Sequence, residues 1–311
     1  MHAMNSSITM PRMAENQGGT DDLAQLSARL RPRLHRYVAR MAGSALDGED
    51  IVQDALAKAA IHYDPATVRQ PDAWMFRIAH NAAMDFLRHR ALERNLFVEL
   101  DDDGGIEDRV AIDNADDPLA RAESTSASLA TFIQLPARQR SAVILFDVLG
   151  HALDETAELL DTNVPAVKAA LHRGRTRLRE LGREGLDAAV QQDISPEQLQ
   201  LVQMYAQRFN ARDFDGLRDL LAEDARLNLP NRVQAKGKAQ VGGYFSNYAK
   251  AFDVRAEAAV IEGRAGLWMT DGDATHPAYP VLLTWRDGQL ADILDFRYAR
   301  YVSEALGLPQ R

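Results

Sequence analysis

Between Val164 and Arg183 the chain carries Lys168, Arg173, Arg175, Arg177, Arg179 and Arg183 against a single acid, Glu180. Lys168, His172, Arg175 and Arg179 recur at helical spacing, while Val164, Val167, Leu171 and Leu178 recur on another face. One side of such a helix packs and the other presents positive charge. A major-groove reader needs that division, because its exposed side chains meet base edges and phosphates. A second set of candidates lies toward the C-terminus, where Asp224, Asp271, Asp273, His276 and Asp295 have side chains suited to acid–base work. A carboxylate sheltered in an apolar pocket has its pKa raised and becomes a general base near neutral pH. Plainer readings compete with this one. Asp271 and Asp273 belong to a turn, His276 precedes Pro277, and the face to which Asp295 points depends on strand register. Neither metal-ligand spacing nor a glycine-rich phosphate loop occurs, so no cofactor is expected.

The elements that position these residues fall into three modules. In the first, Leu23, Leu26, Leu30, Leu34, Tyr37, Val38 and Met41 repeat at helical spacing, with Pro32 marking a kink or a late start. Asp47, with Asp50 three residues on, reads as the cap of a second helix, whose apolar side is Ile51, Val52, Ala55, Leu56 and Ala59. A third helix follows Pro71 and runs to about Arg90, with Trp74, Arg77, Asn81, Asp85 and Arg88 along one stripe. In the second module, Leu153–Leu160, a break at Asp161-Thr162-Asn163, and Val164–Arg179 have the proportions of a helix-turn-helix. Asn163 is placed to cap its second helix and Pro165 falls in the first turn, where a missing N–H costs little. In the third module, helical patterns at Glu197–Phe209, Asp213–Leu221 and Lys238–Lys250 precede strand patterns at Val254–Ile261, Ala265–Thr270, Tyr279–Trp285 and Leu290–Arg300. Asp271-Gly272 and Asp287-Gly288 supply hairpin turns. Helices first and a meander afterwards imply an α+β domain with a curved antiparallel sheet.

The expected boundaries are a flexible lead-in at 1–19, helical modules at 20–95 and 122–185, linkers at 96–121 and 186–196, and the α+β domain at 197–305. A net charge of −9 argues at first against nucleic acid, yet nine acids crowd into Glu99–Asp117 beside one base, Arg109. The acidic linker hides a basic helix, and the local field decides binding. Cysteine is absent, which excludes disulfides and fits a reducing cytoplasm. No apolar run approaches the length of a membrane span.

Three stretches in order carry a family likeness. Glu49-Asp50-Ile51-Val52-Gln53-Asp54-Ala55 resembles the polymerase-docking helix of sigma region two. The run from Ala73-Trp74-Met75-Phe76-Arg77 through Met84-Asp85-Phe86-Leu87-Arg88 resembles the helix that opens and reads the minus-ten element. Leu135-Pro136-Ala137-Arg138-Gln139-Arg140 through Arg173-Gly174-Arg175-Thr176-Arg177-Leu178 is similar to sigma region four, which binds the minus-thirty-five element. The chain thus resembles the extracytoplasmic-function (ECF) RNA polymerase sigma factors. Phe209-Asn210-Ala211-Arg212-Asp213, and Trp285-Arg286-Asp287-Gly288 through Asp295-Phe296-Arg297-Tyr298, look like a SnoaL-like domain, the cone-shaped fold of ketosteroid isomerases.

The resemblance implies two all-α sigma domains followed by the cone, and a non-enzymatic protein that binds core RNA polymerase and promoter DNA. Glu49, Asp50, Gln53 and Asp54 are implied polymerase contacts. Trp74, Arg77, His80, Asn81 and Arg88 are implied at the minus-ten element, where Asn81 would capture a flipped base. Lys168, His172, Arg173, Arg175 and Arg179 are implied at the upstream element. The acidic linker is implied to occupy a channel otherwise used by nucleic acid, and the third domain to modulate activity by packing on the first two. Ala152 stands where the family has a hydroxyl cap, and Asp161 where glycine is commoner. A helix-turn-helix regulator acting without polymerase, and an isomerase or cyclase with a helical targeting half, are the rival readings. A ligand of the third domain, a separate anti-sigma protein and the oligomeric state stay open.

Overall fold

The computed structural model describes residues 17–93, 117–184, 194–230, 232–250, 253–271 and 278–307. Most of the acidic linker, most of the second linker, Asp273 and His276 lie outside these residues.

Helix α1 (Gln17–Ala42) runs on through Pro32. The proline forgoes one backbone bond, but Leu30, Leu34, Tyr37 and Val38 around it are fully buried, and packing decides. Helix α2 (Ala45–His62) starts earlier than Asp47 suggests, because the Ser44 side chain accepts from Asp47 N–H and serves as its cap. Gly48 lets α2 approach α1 closely: a Cβ there would stand 2.7 Å from Ala39 Cα. Helix α3 (Pro71–Glu93) completes the first bundle.

Helix α4 (Pro118–Ser126) begins inside the segment that the sequence suggests is linker, capped by Asp117. It leads to α5 (Leu129–Phe132) and then to α6 (Ala137–Val143), which continues as a π turn over Ile144–Val148. The helix-turn-helix follows as α7 (Leu153–Leu159) and α8 (Val164–Glu184). Asp161 adopts φ 52°, the left-handed conformation expected of the turn. Asn163 accepts from Ala166 N–H at 2.9 Å and caps α8. Ala152 has no side-chain oxygen to give, but Glu155 accepts from its N–H at 3.0 Å, so half of a capping box survives. The two helical modules share one apolar core: Leu34, Tyr37 and Met41 of α1 cluster with Phe132, Leu135, Val143 and Ile144.

The last module holds α9 (Pro196–Asn210), α10 (Phe214–Asp219), β1 (Leu221–Leu229), β2 (Val233–Lys236), α11 (Lys238–Gly242) and α12 (Tyr244–Ala249). Strands β3 (Val254–Ile261), β4 (Arg264–Asp271), β5 (Tyr279–Arg286) and β6 (Gln289–Asp295) and a final helix α13 (Arg300–Ala305) complete it. The six strands lie in the order β2-β1-β6-β5-β4-β3, antiparallel except where β1 runs parallel to β6. The wholly antiparallel meander is therefore corrected to a mixed sheet. Strand β1 escapes the alternation test because a register irregularity between Leu221 and Arg226 breaks its period. The expected strand at Leu290–Arg300 stops at Asp295 and turns into α13, and the helix expected over Lys238–Lys250 divides at Gly243. One sheet face packs on the helices α9–α12; the other faces α2.

Candidate functional site

On α8, Val167, Leu171 and Leu178 pack inward as the periodicity requires. The basic residues divide. Lys168 is exposed, and His172 and Arg173 lie partly open beside it. Arg175 corrects the reading that placed it on the promoter face. It is buried, and its Nε and Nη2 grip Asp147 of the π turn at 3.0 and 2.6 Å. Arg179 is drawn sideways to Glu123 of α4 at 2.9 Å, with Asp117 at 4.0 Å.

On α3, Asn81 and Arg88 are exposed, Arg88 forming an ion pair with Asp85. Trp74 is partly buried against Tyr63, with ring centroids 5.5 Å apart. His80, implied at the minus-ten element, is half-buried, and its Nδ1 meets the Tyr37 hydroxyl at 2.6 Å. Burial, with Arg88 nearby, lowers its pKa to about 4, so it is neutral near pH 7. Arg77 reaches across to α7, donating to Glu158 O at 3.3 Å, while Phe76 meets His151 edge-on at 5.0 Å. Of the residues implied at the minus-ten element, Arg77 thus contacts the helix-turn-helix while Asn81 and Arg88 stay exposed.

The densest polar contacts lie at the start of α2 and come from the C-terminal domain. The β3–β4 hairpin turns at Glu262-Gly263, with φ of 46° and 77°. That tip brings the Glu262 carboxylate over the helix N-terminus, where it accepts from Ser44 Oγ, Ala45 N and Leu46 N at 2.7, 2.9 and 3.0 Å. Those N–H groups have no partner within the helix, and the helix dipole favours an anion there. Two residues on, Arg264 bridges Asp47 and Asp50. Asn228 of β1 donates to Gln53 at 2.8 Å, and Tyr301 of α13 donates to Glu49 at 3.0 Å. Glu49 also pairs with Arg31 and is fully buried, which pushes its pKa up against the opposing pull of the guanidinium. Ala45 and Leu46 pack on Ile261, Leu282, Phe296 and Val302 beneath these bonds. Of the four acidic and amide residues singled out on α2, Glu49, Asp50 and Gln53 meet the C-terminal domain, and among the described residues Asp54 does not.

Within the cone, Asp295 is wholly buried. Tyr244 and Tyr248 hydroxyls donate to it at 2.7 and 2.9 Å, and Arg297 N–H at 2.8 Å. Burial raises its pKa despite these donors. Asp224 is exposed and paired with Arg286 on the rim, so the two do not form a joint acid–base site. Among the described residues no cluster of three or more potential metal ligands occurs.

Three families match the chain: Sigma-70 region 2 over residues 26–93, Sigma-70 region 4 over 129–178, and a SnoaL-like domain over 202–297. The ECF RNA polymerase sigma factor SigG of Mycobacterium tuberculosis (strain CDC 1551 / Oshkosh) is 30% identical over 248 residues, covering 72% of this chain and 67% of that protein. The chain is an ECF RNA polymerase sigma factor.

SigJ of M. tuberculosis (strain ATCC 25618 / H37Rv) is 26% identical to this sigma factor over 289 residues, 86% of this chain and 88% of that one. The crystal structure of SigJ aligns over 89% of this chain and 95% of that chain at 20% identity and a TM-score of 0.34. As a member of this family, the sigma factor directs transcription initiation and is not itself an enzyme. None of its described helices is long and apolar enough to cross a membrane.

Sequence reasoning missed Glu262, Arg264, Asn228 and Tyr301, the C-terminal groups that hold α2. Only the turn-forming Glu262-Gly263 pair carries a local signal. His35 was missed as well; it is buried, donating from Nε2 to Ala45 O at 2.8 Å with its ring 4.8 Å from Tyr301. Burial lowers its pKa from 6.5 to about 4. A depressed histidine contributes stability that is complete above pH 6.5 and is lost as pH falls toward 4, because the unfolded chain takes up the proton first. His35→Gln should therefore lose less stability than the parent between pH 7 and 4.5, by on the order of 2–3 kcal/mol. Urea unfolding at both pH values checks this, and parallel curves for the two proteins would refute it.

Proposed function

We propose that this sigma factor rests in a closed form, in which its own C-terminal domain covers the helix that docks on core RNA polymerase. In the open form Asp50, Gln53, Asp54 and the released Glu49 meet polymerase. Asn81, Arg88 and Arg77, with Trp74 flanking, then serve the minus-ten element, and Lys168, His172 and Arg173 the upstream element. The site of action is the cytoplasm, with the polymerase. The observation that carries this reading is the overlap on α2: the groups implied in docking are those held by Arg264, Asn228 and Tyr301.

Promoter geometry supports the need to open. Elements at minus ten and minus thirty-five are roughly 25 base pairs apart, about 85 Å at 3.4 Å per pair. Here Arg77 of α3 touches α7 of the helix-turn-helix directly. One core binding both modules cannot span that distance, so the modules must part before both elements are read.

Run-off transcription with purified core polymerase tests the proposal, comparing the full chain with a truncation ending at Gln192. The truncation should bind polymerase more tightly and initiate at least as well. Equal polymerase affinity for the two forms would remove the restraining role. Failure of both to bind would overturn the docking role given to α2.

A further inference from the structure

The outer face of the sheet carries a groove of about 1000 Å³, whose lining includes Asp50 of α2 as well as Arg226, Lys236 and Arg264. Strand register sets two rows of side chains across its floor. One row runs Lys236, Arg226, Asp292, Thr284; the next runs Gln234, Asn228, Leu294, Leu282. Like charges directly opposite each other on neighbouring strands repel, and Lys236 and Arg226 are such a pair. Asp292 neighbours Arg226 from the far side only, and neither cation forms a salt bridge with a described residue. Both are exposed, so their cost is modest in water, but they set a positive field in a cleft of a chain whose net charge is −9. Beside them the second row continues to Leu294, which is partly open, and to Leu282, which is packed beneath α2. Arg264 stands on the same groove with its guanidinium held by Asp47 and Asp50.

We propose that this groove binds a small amphipathic anion, a carboxylate or phosphate ester with an apolar body, and that binding loosens the hairpin from α2. The anionic head meets Arg226 and Lys236 and competes with Asp47 and Asp50 for Arg264; the apolar body lies along the partly open Leu294. The coupling rests on the closed-form reading above; the cation pair of the site does not, because Arg226 and Lys236 both belong to the C-terminal domain. A ligand shifts a two-state equilibrium only by its differential affinity, and here the difference arises because Arg264 is free to meet the anion only when Asp50 has let it go.

Calorimetric titration of the full chain with octanoate, octylamine and inorganic phosphate tests the site. Octanoate should bind best, and the double variant Arg226→Gln, Lys236→Gln should weaken it about tenfold or more. Octylamine binding as well as octanoate, phosphate binding as well as octanoate, or an unchanged affinity in the variant would each overturn the assignment. For the coupling, saturating octanoate should raise the affinity of the full chain for core polymerase and leave an Arg264→Gln chain unaffected. Octanoate that binds without changing polymerase affinity overturns the coupling. A truncation at Gln192 that binds polymerase no better than the full chain overturns the closed-form reading instead.

Discussion

The double substitution Glu262→Ala, Arg264→Ala is expected to raise the affinity of the full chain for core RNA polymerase by roughly tenfold to a hundredfold. Hydrogen bonds to charged groups contribute on the order of 1.5–3 kcal/mol each, and less where, as at Glu262, the carboxylate stays exposed to water. The tip of the hairpin makes three through Glu262 and further charged contacts through Arg264. Apparent affinity scales with the fraction of molecules in the competent state, so each ~1.4 kcal/mol removed from the closed form is a factor of ten until the open form predominates. Both substitutions lie on the C-terminal side of the contact. That choice matters, because Asp47, Asp50 and Glu49 belong to the helix whose docking is being measured, and changing them would alter both sides of the equilibrium.

Fluorescence-detected binding to labelled core enzyme reads the effect. Promoter run-off at limiting sigma concentration should rise with it. The apolar patch of Ala45, Leu46, Phe296 and Val302 is untouched by the double variant, so partial retention of the closed form sets an upper bound below that of the truncation at Gln192. An affinity equal to the parent's would mean that the hairpin bonds are incidental and that apolar contact alone holds the domains. An affinity below the parent's would mean that the C-terminal domain supports docking.

How much of this was legible depends on the range over which the deciding force acts. The helices α1, α3, α7 and α8 announced themselves through the period of Leu30, Leu34, Val167 and Leu171, since burial of one face is a local, repeated signal. The Asp161 turn and the Asn163 cap were legible for the same reason. Side-chain roles were less so. Lys168 and Arg175 sit seven residues apart, two turns of helix, and look equivalent in sequence. What separates them is Asp147, twenty-eight residues back on the π turn. Likewise nothing near Glu262 marks it as the partner of Ser44, 218 residues away. Strand β1 was lost to its own register break, and with it the parallel pairing that a meander does not contain. Local periodicity gave the modules; the contacts between modules have no period to read.

That difference between two basic residues on one helix yields the second large expectation. Arg175→Ala should destabilise the helix-turn-helix module by about 3–5 kcal/mol, because it leaves the Asp147 carboxylate buried without its partner. Asp147 and Arg175 are 0% and 2% exposed at their side chains, so water cannot take over the lost bonds. Since domains hold only some 5–15 kcal/mol in all, loss of promoter binding in this variant follows from unfolding. Lys168→Ala should do the opposite: leave the melting temperature unchanged and weaken binding to duplex DNA, with a shallower dependence on salt because one phosphate contact is removed. Thermal melts of both variants, paired with DNA titrations at two salt concentrations, separate the cases. If Arg175→Ala melted like the parent yet lost DNA binding, the ion pair would be dispensable and Arg175 would return to the promoter face. If Lys168→Ala bound DNA with the parent's affinity and salt slope, the exposed edge of α8 would not be the reading edge.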